Sequence, residues 1–181
     1  NTIDRIDTFT IPEVARMMGR GKTYFISTYG CQANERDSET LAGILDELGF
    51  TPNETAEGSD VIIINTCAIR QNAEEKVLGE IGNFKRLYRE NKDLIIGVCG
   101  CMAQEEGLVE TLLTKYPQVR LLFGTHNIQE LPSMLYSCMF EGKKVVKIYS
   151  KEGEVYENLP VHRFGTFKAW VNIMYGCDKF C

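Results

Sequence analysis

The sequence predicts a doubly wound α/β domain, a mostly parallel sheet held between two helical layers. Three observations predict it. Short segments rich in β-branched residues alternate with stretches whose apolar residues recur every three to four positions, the pattern of successive βαβ units. Val61-Ile62-Ile63-Ile64-Asn65 and Leu94-Ile95-Ile96-Gly97-Val98-Cys99 are apolar on both faces, as strands covered by helices on both sides must be. The 181 residues, 44% hydrophobic and 25% charged, suffice for a proper core without disulfides.

Residues 1–21 are polar, weakly patterned and broken by Pro12 and Gly19-Arg20-Gly21, and they read as an N-terminal extension with at most a short helix. The domain proper is expected over 22–149. Thr23-Tyr24-Phe25-Ile26-Ser27-Thr28 is the first strand. Leu41, Ile44, Leu45 and Leu48 form one face of a helix that Gly49 stops, with Asn34 and Asp37 as its N-terminal caps. After the strand 61–65, Val77, Ile81, Phe84 and Tyr88 make a helical stripe, and Lys85, Arg86 and Arg89 fall on its wet side. The strand 94–99 precedes a helix over about 104–115. Arg120-Leu121-Leu122-Phe123 is a fourth strand, Ile128, Leu131, Leu135 and Cys138 mark the next helix, and 144–149 is a fifth strand. Right-handed crossovers are expected throughout. The polar stretch 150–165 reads as a linker, and 166–181 as the start of a second domain whose first strand is 167–174. The chain, running from Asn1 to Cys181, reads as a piece of a larger protein.

Composition narrows the function classes. Lys plus Arg is 20 against 25 Asp plus Glu, a net charge of -5, the opposite of a basic nucleic-acid module. No apolar run approaches the roughly 18 residues of a membrane span, so no membrane partner is expected. Seven cysteines without a secretory signal point to cytoplasmic thiols, metal ligands or redox chemistry. The Gly-rich segments form no G-x-G-x-x-G and no P-loop, which weakens a flavodoxin-like electron carrier.

The cysteines carry the chemistry. In an open parallel sheet ligands gather beyond the carboxyl ends of the strands. Cys31 lies just past the first strand, Cys67 just past the second, and Cys99 and Cys101 at the end of the third. One cysteine at a strand end is an apolar filler by default; three at equivalent ends point to a shared ligand. Four thiols, with Cys99 included, would suit a structural zinc; three would suit an iron-sulfur cluster with one iron left open. A further pair, Cys177 and Cys181, forms a C-x-x-x-C after the Gly176 turn. Cys138 sits on a helix stripe and reads as core, as does Cys99, and His126 as a cap or filler.

Tyr29-Gly30-Cys31-Gln32-Ala33-Asn34 with Asp37-Ser38-Glu39, Asn65-Thr66-Cys67-Ala68-Ile69-Arg70, and Gly100-Cys101-Met102-Ala103-Gln104 resemble the three sequence blocks of the methylthiotransferase family of radical S-adenosylmethionine enzymes. Phe123-Gly124-Thr125-His126-Asn127 and Asn172-Ile173-Met174-Tyr175-Gly176-Cys177 extend the likeness to nearly everything after residue 22. The resemblance implies a Rossmann- or flavodoxin-like first domain followed by a radical-enzyme barrel. It implies that Cys31, Cys67 and Cys101 hold an auxiliary 4Fe-4S cluster. Cys177 and Cys181 would be two of three ligands of the 4Fe-4S cluster that cleaves S-adenosylmethionine. Gln32 and Ala68-Ile69-Arg70 resemble the branch that places a methylthio group at C2 of N6-isopentenyladenosine beside the tRNA anticodon. Sister branches act on threonylcarbamoyladenosine or on a ribosomal-protein aspartate. The implied partners are tRNA, bound mainly through C-terminal domains, an electron donor such as flavodoxin or ferredoxin, and a sulfur source.

Overall fold

The computed structural model describes residues 5–67, 71–104, 106–148 and 154–170. In chain order the elements are β1 (Arg5–Thr8), β2 (Thr23–Tyr29), α1 (Gln32–Glu47), β3 (Thr51–Pro52), β4 (Val61–Thr66), α2 (Gln71–Glu90), β5 (Ile95–Gly100), α3 (Glu106–Lys115), β6 (Val119–Phe123), α4 (Leu131–Phe140), β7 (Val145–Lys147) and β8 (Glu154–Glu157). Six strands form one parallel sheet in the order β3-β2-β4-β5-β6-β7. The expected three-layer α/β architecture is present.

Alternation along the strands divides the core in two. Val61 and Ile63 of β4, Ile95 and Cys99 of β5, and Leu121 and Phe123 of β6 meet α1 and α4 on one face. Ile62 and Ile64, Ile96 and Val98, and Leu122 meet α2 and α3 on the other. The stripes read from sequence are the buried faces: Leu41, Ile44, Leu45 and Leu48 are fully buried, as are Val77 and Ile81. Lys85, Arg86 and Arg89 are exposed, and Arg86 pairs with Glu57 and Glu90.

Several expectations are corrected. Residues 5–8 are a strand paired in parallel with Glu154–Glu157, so part of the expected extension joins part of the expected linker in a two-stranded sheet. Ile11 and Met18 are buried against the α1 layer, because their apolar side chains find the uncovered end of that core. The N-cap of α1 is Cys31; Asn34 closes a capping box from the third helical position, and Asp37 lies within the helix. The crossover from β6 to β7 steps in the same direction as those carrying α2 and α3, yet α4 lies on the α1 face, so its hand is opposite. Leu131, Met134, Leu135 and Cys138 there cover core that α1 alone would leave open. Of the expected strand 167–174, residues 167–170 make no strand pairing and the rest lies outside the described residues.

Candidate functional site

Strand order reverses between β2 and β4, since the chain passes from β2 out to the edge strand β3 and returns on the other side. The crevice beyond the carboxyl ends at such a switch point is where open α/β sheets bind ligands. Here β2, β4 and β5 end level: Tyr29 is opposite Thr66, and Thr66 is opposite Gly100. Cys31, Cys67 and Cys101 follow those ends directly or after one residue. Strands about 4.8 Å apart therefore deliver three thiols to one edge, with the switch point between the first two. Cys31 is exposed, Cys67 buried and Cys101 intermediate.

The local fold at this edge is built from polar groups. Asn34 Oδ1 accepts the Cys31 backbone N–H at 3.2 Å and faces the Cys31 thiol at 3.5 Å. Asn34 Nδ2 donates to Asn65 Oδ1 at 3.1 Å, and Asn65 Nδ2 donates back to the Asn34 carbonyl at 2.8 Å and to Ser38 Oγ at 3.0 Å. Ser38 and Thr28 hydroxyls lie 2.7 Å apart. Asn34, Ser38 and Asn65 are buried, Thr28 is at the surface, and the network ties the ends of β2 and β4 to the first turns of α1. A Cβ on Gly30 would come within 2.9 Å of the Cys67 Cβ and closer still to Asn34. Gly100 has φ +103, and a Cβ there would stand 2.1 Å from the Thr66 carbonyl oxygen. Only glycine lets β5 turn into the Cys101–Gln104 3-10 turn so close to β4.

Electrostatics separate the thiols. Cys99 is buried in the α1-side core, and burial, with the nearby Asp37 and Cys101, pushes its thiol well up. Burial likewise raises the Cys138 thiol, so both behave as inert core sulfur. Asp37, almost wholly buried, has its carboxyl pushed up to about 6 by burial, an effect that the Arg36 guanidinium 3.1 Å away only partly offsets. Cys31 is the N-cap of α1 and closes a capping box with Asn34.

The sequence placed Cys31, Cys67 and Cys101 together, and the fold brings them to one edge. Among the described residues, however, no three His, Cys, Asp or Glu side chains gather into a metal-binding group. Cys177 and Cys181 lie outside the described residues. His126 is exposed rather than filling or capping, and His162 pairs with Asp46 on α1. Sequence reasoning missed the Asn34, Ser38, Asn65 and Thr28 network. Its signal was present: Asn34 and Ser38 are four apart on one helix face, and Asn65 closes an otherwise apolar strand. A groove of about 810 Å³ lies between α2 and residues 54–57 toward the other end of the sheet. It is lined by charged side chains, of which Arg86 pairs with Glu57, and it is remote from the thiols. No described helix is long and apolar enough to cross a membrane.

Comparison with known proteins gives a match to the uncharacterized protein family UPF0004 over residues 23–124. The chain is also similar to proteins named tRNA-2-methylthio-N(6)-dimethylallyladenosine synthase. That of Oceanobacillus iheyensis is 56% identical over 173 residues, 96% of this chain and 33% of the relative. That of Staphylococcus saprophyticus is 57% identical over 175 residues, 97% and 34%, and that of Geobacillus thermodenitrificans 54% over 179 residues, 99% and 34%. The chain thus spans about a third of the length of these curated relatives.

Proposed function

Because the chain belongs to the UPF0004 family, we propose that it serves, within a longer protein, as the sulfur-handling domain of a tRNA methylthiotransferase. The reaction is the insertion of a methylthio group at C2 of N6-isopentenyladenosine beside the anticodon. The reading draws on the relatives' shared name and on one structural observation: three level strand ends at the switch point, each followed by a cysteine.

The donor set fits an iron-sulfur cluster in kind. Three thiols follow level strand ends on one edge, and neither histidine joins them among the described residues: His126 is exposed in the turn after β6, and His162 is bound to Asp46. Cys31, Cys67 and Cys101 would hold the auxiliary 4Fe-4S cluster, and Cys177 and Cys181 would supply two of three ligands to the second. When bound, these clusters supply the electron that cleaves S-adenosylmethionine and an open iron that carries sulfur. The chain's own contribution is placement. Asn34 Oδ1 accepts the Cys31 N–H and the Asn34 amide pairs with Asn65 on β4, the Tyr29 carbonyl accepts the Cys67 N–H, and Gly100 admits the turn that carries Cys101. An acidic domain is a poor partner for phosphates, so the basic surface for tRNA belongs to other parts of the whole protein. A cytoplasmic setting, an electron donor such as flavodoxin or ferredoxin, and a sulfur source complete the reading.

The test is turnover by the full-length protein, reconstituted anaerobically and given reductant, S-adenosylmethionine and isopentenylated tRNA. Formation of 5′-deoxyadenosine together with methylthiolated isopentenyladenosine is expected. Methylthiolation of threonylcarbamoyladenosine instead, or no product with clusters in place, would overturn the proposal.

A further inference from the structure

We propose that residues 160–164 are a fixed strut rather than a free connection. A docking face on α1, made of Glu39, Gly43 and Asp46, holds the segment and thereby sets the path from the Cys31 thiol to the chain that leads toward Cys177. The three α1 residues are spaced four and three apart, one face of a helix.

Each contact of this face is specific. A Cβ on Gly43 would stand 2.4 Å from the Pro160 carbonyl carbon and 2.5 Å from the Val161 nitrogen, backbone atoms that cannot swing aside. Glycine inside a helix destabilises it relative to alanine, and the close approach of Pro160 explains its presence. The Glu39 carbonyl accepts the His162 N–H at 2.9 Å. Its buried carboxylate accepts Arg163 Nη1 at 2.8 Å and the Phe164 N–H at 3.4 Å. Asp46 accepts the Tyr24 hydroxyl at 2.9 Å and pairs with His162 Nδ1, so the face is also tied to β2.

The contacts run in a direction. Pro160 meets Gly43, the His162 N–H, Arg163 and Phe164 meet Glu39, and Lys168 Nζ comes within 3.7 Å of Glu35 in the first turn, while the His162 ring reaches back to Asp46. The chain from Pro160 to Lys168 therefore travels back along α1 from Gly43 to Glu35, about 12 Å at 1.5 Å per residue, toward the helix end that Cys31 caps. A cavity of about 190 Å³ lined by Thr28, Glu35, Glu39, Phe164, Lys168 and Trp170 marks where it arrives. Arg163 Nη1 also donates to the Trp170 carbonyl at 3.1 Å, which folds the arriving chain against its own anchor. A buried carboxylate stripped of its cation is costly, so Glu39 and Arg163 hold each other in place. The consequence for coupling two cysteine sets rests on the function proposed above; the docking itself does not.

The experiment uses the full-length reconstituted protein with Gly43→Leu, Arg163→Met and Arg163→Lys. Arg163 is the safer site, since its side chain is 41% exposed and α1 stays intact without it. Amide exchange at His162 and Phe164 is expected to be protected in the parent protein and to rise at least about tenfold in Gly43→Leu and Arg163→Met. Iron content should not change, because no thiol is touched. The ratio of methylthiolated nucleoside to 5′-deoxyadenosine should fall several-fold in both variants, with Arg163→Lys recovering most of it. Fast exchange at both amides in the parent protein would overturn the strut, as would an unchanged ratio in variants whose exchange has risen. If the parent protein makes no 5′-deoxyadenosine, the functional reading fails, and the exchange data alone decide the strut.

Discussion

Replacing Cys31, Cys67 or Cys101 by alanine is expected to abolish one and the same cluster, read as the loss of about four iron and four sulfide per chain after anaerobic reconstitution. Cys99→Ala and Cys138→Ala should keep the full content and lose on the order of 1 kcal/mol, since both thiols are core filler with protonation favoured by burial. Iron loss in Cys99→Ala would revive a four-thiol site. Gly100→Ala should cost at least about 2 kcal/mol in denaturant unfolding, because φ +103 and the Thr66 carbonyl both oppose a Cβ. Asp37 gives a pH dependence. Its folded value of about 6 lies above the ordinary 3.8, so the neutral form is the one that folding favours. That contribution is fully present below about pH 4 and is lost as pH rises through 6, a difference of roughly 3 kcal/mol. Asp37→Asn should flatten unfolding stability between about pH 4 and 6; an unchanged slope would show that Asp37 does not set it. At this scale the cysteines were legible because their spacing follows the strand period. Asn34 was read only as a cap, because its bond to Asn65 joins residues far apart in sequence.

Among the elements, α1 carries the most. Its apolar stripe builds the core, its N-cap is a candidate ligand, and its outer face holds residues 160–164. Asn34→Ala removes the capping-box acceptor and leaves Asn65 Oδ1 without its donor. A loss of about 2–4 kcal/mol is expected in urea unfolding, and Asn34→Asp should recover the cap but not the donor. Equal stability of Asn34→Ala and the parent would show that the network adds nothing. β4, β5 and β6 and the helices between them were readable because two-faced apolar runs and 3.6-residue periodicity are local properties. β3 is two residues long and β1 pairs with β8 across nearly the whole chain, so no local pattern announces either. The hand of the β6 to β7 crossover was misread for a related reason, since the face α4 takes depends on the core α1 leaves open.

For the whole molecule, one complete cysteine set predicts one cluster. The 181-residue chain should bind about four iron per chain, and it should yield neither 5′-deoxyadenosine nor methylthiolated nucleoside with isopentenylated tRNA. Eight iron per chain, or turnover, would show that Cys177 and Cys181 suffice for the second site. The sequence by itself determined the layered α/β class, the buried stripes and the three thiols after strands, because burial period and strand-to-helix rhythm are written residue by residue. Only the tertiary structure decided that β2, β4 and β5 end level, that an amide network joins Cys31 to the end of β4, and that residues 160–164 run along α1. Those outcomes depend on register and on contacts between residues 30 to 120 positions apart. Their energies come from pairing buried polar groups, and which groups pair is settled only when the whole sheet closes.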